Sequence, residues 1–135
     1  MRYLAIDYGN KRTGLAICDH DETIASPLLV IDGQKDLIKK IVNTVGSEKV
    51  EAIVLGLPLN MDDSKGPQAE RVIQFAEQLK KYLHIPIHFQ DERLSSFGAE
   101  RKLAPAELTR KKKKKWLDAV AAAEILETFL EQKNA

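Results

Sequence analysis

With 135 residues, 44% of them hydrophobic and 30% charged, the chain has the composition of an ordinary soluble globular domain, long enough to bury its own core. A single cysteine excludes an internal disulfide and fits a reducing cytoplasm. No apolar run approaches membrane-spanning length, and the N-terminus opens into strand pattern rather than a leader. The net charge of +1 hides a segregation. Between Arg101 and Lys115 eight basic residues face one acid, Glu107, so that stretch carries +7 and the remainder −6. One intense basic stretch on a near-neutral chain points to a polyanionic partner at one surface.

Tyr3 to Ile6 and Leu15 to Cys18 are short apolar runs separated by Gly9-Asn10-Lys11-Arg12, the pattern of two antiparallel strands joined by a hairpin. Thr23 to Ile31 reads as a third strand, which Pro27 confines to an edge or a bulge. Lys35 to Val45 has helical spacing, with Gly46 placed to end it. Ala52 to Leu57 is apolar on both faces, as in a buried parallel strand. A polar loop follows from Pro58 to Gly66, and Pro67 suits the first position of the next helix. Ile85 to Phe89 is the last strand. Ser95 or Ser96 can cap a short helix to about Leu103, Pro105 breaks the chain, and Trp116 to Leu130 forms a final helix. The order β-β-β-α-β-α-β-α-α predicts one α/β domain over 1–135, a five-stranded mixed sheet with helices on both faces.

Three carboxylates stand where an acid is awkward. Asp7 ends a strand that should be central, Glu92 follows the last strand, and Asp118 shares a helical stripe with Ala122, Ile125 and Phe129. The other acids of that helix, Glu124, Glu127 and Glu131, share a separate face expected to be solvated. A lone buried carboxylate costs several kcal/mol unless it is satisfied. Asp7 either accepts hydrogen bonds from the turn backbone at Gly9 and beyond, or binds a metal. Asp118 either caps its helix or pairs with a lysine, or joins the same site. Three acids brought together require a counter-ion, and an all-oxygen set selects Mg2+ or Mn2+. Such a site suits phosphodiester hydrolysis. His20, His84 and His88 lack zinc spacing, and Cys18 reads as a core residue rather than a nucleophile.

Basic side chains complement the acids. Lys11 and Arg12 lie in the first turn, Lys65 in the loop after the buried strand, and Arg93 beside Glu92. Lys111, Lys112, Lys113, Lys114 and Lys115 precede Asp118. A lysine run is often only a solvated segment or a localisation signal. Next to a candidate catalytic acid it suits phosphate-backbone contact. The 58–66 loop and the 104–115 run, both polar and proline-bounded, are expected to be mobile without substrate.

With these residues assembled, the chain resembles the YqgF/RuvX family of bacterial Holliday junction resolvases and pre-16S ribosomal RNA nucleases. The resemblance rests on four blocks in order: Leu4 to Ile17, Val54 to Met61 with Gly66 to Val72, Asp91 to Ser96, and Asp118 to Leu126. It implies a ribonuclease H-like fold and a metal-dependent nuclease whose acids are Asp7, Glu92 and Asp118. It further implies a nucleic-acid partner, with pre-rRNA preferred over branched DNA, ribosomal particles as a further partner, no membrane, and a monomer or weak homodimer. Two positions depart from the family pattern: Asp63, where glycine is common, and Trp116, where a smaller aliphatic residue is usual.

Three other readings are open. Junction resolution would need a symmetric dimer to cut two strands. The segment Asp7 to Gly14 also resembles the phosphate loop of actin-like ATPases, but those pair two such domains around the nucleotide. A non-catalytic RNA-binding protein would use the lysine run alone.

Overall fold

The computed structural model describes residues 1–94 and 110–135. Its strands are β1 (Tyr3–Asp7), β2 (Arg12–Cys18), β3 (Ala25–Asp32), β4 (Ala52–Leu57) and β5 (Ile87–Asp91), and its helices among these residues are α1 (Leu37–Ser47), α2 (Pro67–Lys80) and α3 (Arg110–Lys133). A 3-10 turn, Glu92–Leu94, follows β5 directly. The strands form one sheet in the order β3-β2-β1-β4-β5. The β1–β2 and β2–β3 pairs are antiparallel, and the β1–β4 and β4–β5 pairs are parallel. β1 is therefore central, as the apolar run ending in Asp7 suggested.

Alternation along the strands sorts side chains into two cores. Leu4 and Ile6 of β1, Leu15 and Ile17 of β2, and Ile53 and Leu55 of β4 pack with Leu37 and Ile41 of α1 and with Val72, Phe75 and Leu79 of α2. On the opposite face Tyr3, Ala5, Ala16, Cys18, Ala52 and Val54 meet Ala122, Ala123, Ile125 and Leu126 of α3. The sheet side of this second face is built mostly from small residues, and Ala122 and Ala123 of α3 meet it. α3 can therefore lie close to the sheet, and that closeness brings Asp118 to the strand ends.

Local chemistry explains most boundaries. Pro27 lies in the edge strand β3, and the β2–β3 register slips there: Leu15 pairs Leu29 while Ala16 pairs Pro27, which leaves Leu28 as the extra residue of a bulge. Pro67 opens α2 as the sequence suggests. Gly46 does not end α1. The helix runs to Ser47, and Lys49 takes the left-handed conformation at φ 55°. Val50 N–H donates to the Val45 carbonyl at 3.0 Å and Lys49 N–H to the Gly46 carbonyl at 3.4 Å, a Schellman closure held by the buried Val50.

Three expectations about the C-terminal region change. The final helix begins at Arg110 rather than Trp116, so positions 111–115 are helical backbone and not a loop before the helix. Glu124 and Glu127 are half-buried and only Glu131 is exposed, so these acids do not share one solvated face. The β5 pairing runs over 87–91, two residues later than the apolar run, because parallel pairing with β4 reaches Asp91 opposite Leu57. The short helix expected from Ser95 or Ser96, Pro105, and the 104–109 part of the expected mobile run lie outside the described residues.

Candidate active site

Asp7 is the last residue of the central strand and follows Tyr3 and Ala5 on the α3 face. Its cross-strand partner is Gly14. A Cβ on Gly14 would run into the Asp118 carbonyl and stand 2.7 Å from Ala119 N. The helix backbone thus rests directly on the strand beside Asp7. Only glycine permits that approach.

Glu92 opens the 3-10 turn and reaches back over β4. A Cβ on Gly56 would collide with the Glu92 carboxylate and lie 2.8 Å from its Cγ and 2.7 Å from Ile125 Cδ1. A second strand glycine therefore makes room for a second acid. Burial pushes the Asp7 carboxyl well above its ordinary 3.8, and the hydrogen bond and negative charge of Glu92 raise it further, with a smaller push from Asp118. Asp7, at the end of a strand, thus lies within electrostatic reach of an acid from a turn and an acid from a helix. Glu92 is a hydrogen-bond partner of Asp7, so a bond to the turn backbone at Gly9 is not the whole account of that residue.

Asp118 is not at a helix start. α3 begins about two turns earlier, at Arg110, so capping and the first-turn dipole do not explain it. Its partner is Arg12, whose Nε donates to Asp118 Oδ2 at 2.7 Å, with both side chains 29% exposed. The pairing reading of Asp118 holds in part, with an arginine from β2 in place of a lysine.

The other cations are disposed differently. Lys11, in the turn after β1, and Lys65, in the loop between β4 and α2, are exposed. Arg93 is engaged within the protein: Nε donates to Asp91 Oδ2 at 2.9 Å, and one terminal nitrogen pairs with Asp91 at 2.6 Å and Asp63 at 2.7 Å. Its other terminal nitrogen donates to the carbonyls of Asn60 at 3.0 Å and Met61 at 3.5 Å. Asp91 and Asp63 together hold the guanidinium well above its ordinary range. A phosphate role for Arg93 would require these contacts to open; in this structure it clamps the 58–66 loop to the end of β5. That loop is also bonded to itself, through Asn60 N to Ser64 O at 3.0 Å and Ser64 Oγ to Asp62 at 2.6 Å. It is more tightly organised than its polar composition suggests. Asp63 sits at φ 69°, a left-handed conformation that explains why glycine serves at this position and why aspartate is tolerated. Lys111 to Lys115 lie on the first turns of α3.

Sequence reasoning missed Gln34. Its Nε2 donates to the carbonyls of Gly9 at 2.9 Å and Asn10 at 3.1 Å, and its Oε1 accepts from the Tyr8 hydroxyl at 3.0 Å. Tyr8 in turn stacks on Phe75 with ring centroids 4.2 Å apart. The turn that carries Lys11 and Arg12 is thereby fixed to α2. No periodicity marks such a residue.

The donor set suits a hard divalent cation, since every candidate ligand is a carboxylate. Among the described residues no three acidic, histidine or cysteine side chains already stand in coordination geometry. Asp118 is held by Arg12, and Asp7 is hydrogen-bonded with Glu92.

The RuvX family profile, described as a Holliday junction resolvase, matches residues 1–132. A protein of Caldanaerobacter subterraneus subsp. tengcongensis named "Putative pre-16S rRNA nuclease" is 43% identical over the full length of both chains. One of the same name from Maridesulfovibrio salexigens is 42% identical, over 96% of this chain and 98% of its own. In structure, the chain is similar to Thermus thermophilus RuvC in complex with a Holliday junction substrate (TM-score 0.62, 13% identity, 100% and 97% of the two chains covered). It is also similar to the fowlpox virus resolvase in complex with junction DNA (TM-score 0.63, 13% identity, all of both chains covered). These likenesses establish the ribonuclease H-like fold.

Proposed function

The chain belongs to the RuvX Holliday junction resolvase family, and on that premise we propose that it is a divalent-metal-dependent nuclease that trims the 5′ end of pre-16S ribosomal RNA. The observation that carries the reading is that Asp118 and Glu92 pack on Gly14, the cross-strand partner of Asp7, and on Gly56 of β4, at the end of the sheet where Asp7 closes β1. Ligands in open α/β sheets bind at such strand ends. The two named relatives support the RNA substrate through their names.

Asp7, Glu92 and Asp118 would hold Mg2+ or Mn2+, which when bound activates water and neutralises charge on the leaving oxygen. The chain's own contribution is positional. Burial of Asp7 keeps its carboxyl out of bulk water, and the Gly14 and Gly56 contacts fix Asp118 and Glu92 against the sheet. Lys11, Lys65 and the helical positions Lys111 to Lys115 would grip phosphates on either side of the scissile bond. Arg93 would join them only if its clamp opens. The setting is the cytoplasm, with ribosomal particles as the carrier of the substrate.

The family description favours a second reading, resolution of four-way DNA junctions, which would call for a symmetric dimer. Incubating purified protein with labelled precursor RNA and with a labelled four-way junction, each with magnesium, manganese or chelator, separates the two. Metal-dependent RNA cleavage by a monomer or weak homodimer is expected. Junction cleavage without RNA cleavage would overturn the RNA assignment, and cleavage in chelator would overturn the metal.

A further inference from the structure

We propose that Arg12 is the resident counter-ion of the three-acid site, and that a divalent cation binds by displacing Arg12 from Asp118. This rests on the metal-site reading above and adds to it the identity of the group that the metal must displace.

The ion pair is short, 2.7 Å, yet its partners are 29% exposed, so it sits at the mouth of the site and not in the core. A pair so exposed is screened by solvent and weak enough for a divalent ion to outcompete. Arg12 is the first residue of β2, directly after the turn held by Gln34. Its backbone is therefore fixed, and the pair with Asp118 can open by movement of the side chain alone. Arg93 cannot take its place, because its donors are committed to Asp91, Asp63 and the loop carbonyls.

Two consequences follow from the charge arrangement. With Arg12 on Asp118, the carboxylates are not arranged as ligands, in agreement with the absence of a ready coordination geometry among the described residues. Once displaced, the guanidinium is freed at the rim, where a nucleic-acid phosphate offers planar bidentate acceptance. Phosphate binding and metal binding would then each favour release of the same ion pair, which couples them positively.

The test is calorimetric titration of the metal-free protein with Mn2+, without nucleic acid, for wild type, Arg12→Gln and Arg12→Lys. Removal of the competing charge in Arg12→Gln should tighten Mn2+ binding roughly two- to tenfold, the range that a partly exposed charge pair supports. Arg12→Lys, which keeps the charge, should stay near wild type. In an Asp118→Asn background, Arg12→Gln should change nothing. Equal or weaker Mn2+ binding by Arg12→Gln would overturn the proposal and make Arg12 an orienting group for Asp118. Wild type that binds no Mn2+ would instead overturn the metal-site reading itself. A circular dichroism spectrum matching wild type establishes that each variant is folded, and Arg12→Met, which also removes the charge, takes the place of Arg12→Gln with the same two outcomes if Arg12→Gln is not.

Discussion

Gly14 of β2 and Asp118 of α3 meet backbone to backbone, with so little space that a Cβ at position 14 would run into the Asp118 carbonyl and stand 2.7 Å from Ala119 N. The contact sets the height of α3 above the sheet just where Asp118 must reach toward Asp7. Replacing Gly14 with alanine therefore forces the helix away. Neither neighbour is the end of a flexible side chain that could give. Overpacking of this kind costs about 1–3 kcal/mol. Gly14→Ala should unfold at lower urea concentration and lose most cleavage. Unchanged cleavage would mean that the helix position is not critical to the site.

A pH dependence follows from Asp7. Its folded-state carboxyl is raised above 3.8, so the folded chain holds a proton that the unfolded chain releases. Stability from this group is fully present below about 3.8 and is lost as pH rises through the raised folded value. Metal binding requires the charged form, so magnesium uptake should release a proton and tighten as pH rises through the same window. Calorimetry in buffers of different ionisation enthalpy measures the proton. Absence of proton release near the folded value would contradict a buried, shared carboxyl.

The Arg93 clamp makes a separate prediction. Arg93→Gln should release the 58–66 loop, and trypsin should then cut after Lys65 faster than in wild type while β5 remains paired. Asp63→Gly, which keeps the left-handed backbone but removes a carboxylate on an 80% exposed side chain, should have a smaller effect. If both variants resist trypsin as well as wild type does, the loop is held by its own hydrogen bonds at Asn60 and Ser64.

Changing Lys111 to Lys115 to alanine should weaken RNA binding and flatten its salt dependence by about 0.7 in log–log slope for each lost contact. Five consecutive helical positions turn through more than a full circle, so the loss should fall short of five contacts. Alanine favours helix, and α3 should stay formed by circular dichroism. An unchanged slope would assign the phosphate grip elsewhere.

The order of the strands along the chain was legible because apolar runs and turn clusters are local signals: β1, β4 and the Pro67 helix start stand where their residues place them. The acids stood out as anomalies, Asp7 and Glu92 at the ends of apolar runs and Asp118 on an otherwise apolar helical stripe. What was not legible depends on contact between distant segments. Arg12 could be read as a cation near the first turn, but its pairing with a residue 106 positions away could not. Arg93 looked like a phosphate ligand because its partners Asp63 and Asn60 lie across a loop whose path no periodicity describes. Two clues were on the page, however. Gly14 and Gly56 interrupt strand patterns, and a glycine within a strand marks close approach of something else, here Asp118 and Glu92.

The central claim is that Asp7, Glu92 and Asp118 are one cation site, and thermal melting of Asp7→Asn with and without magnesium tests it most directly. The substitution keeps the volume and removes an ionisable carboxyl whose charged form burial and two neighbouring acids disfavour. Without metal the variant should melt at or above the wild-type temperature. Magnesium should raise the wild-type melting temperature by mass action and leave the variant's unchanged. A variant that melts lower without metal, yet gains as much from magnesium as wild type does, would contradict the shared site and make Asp7 a structural acid.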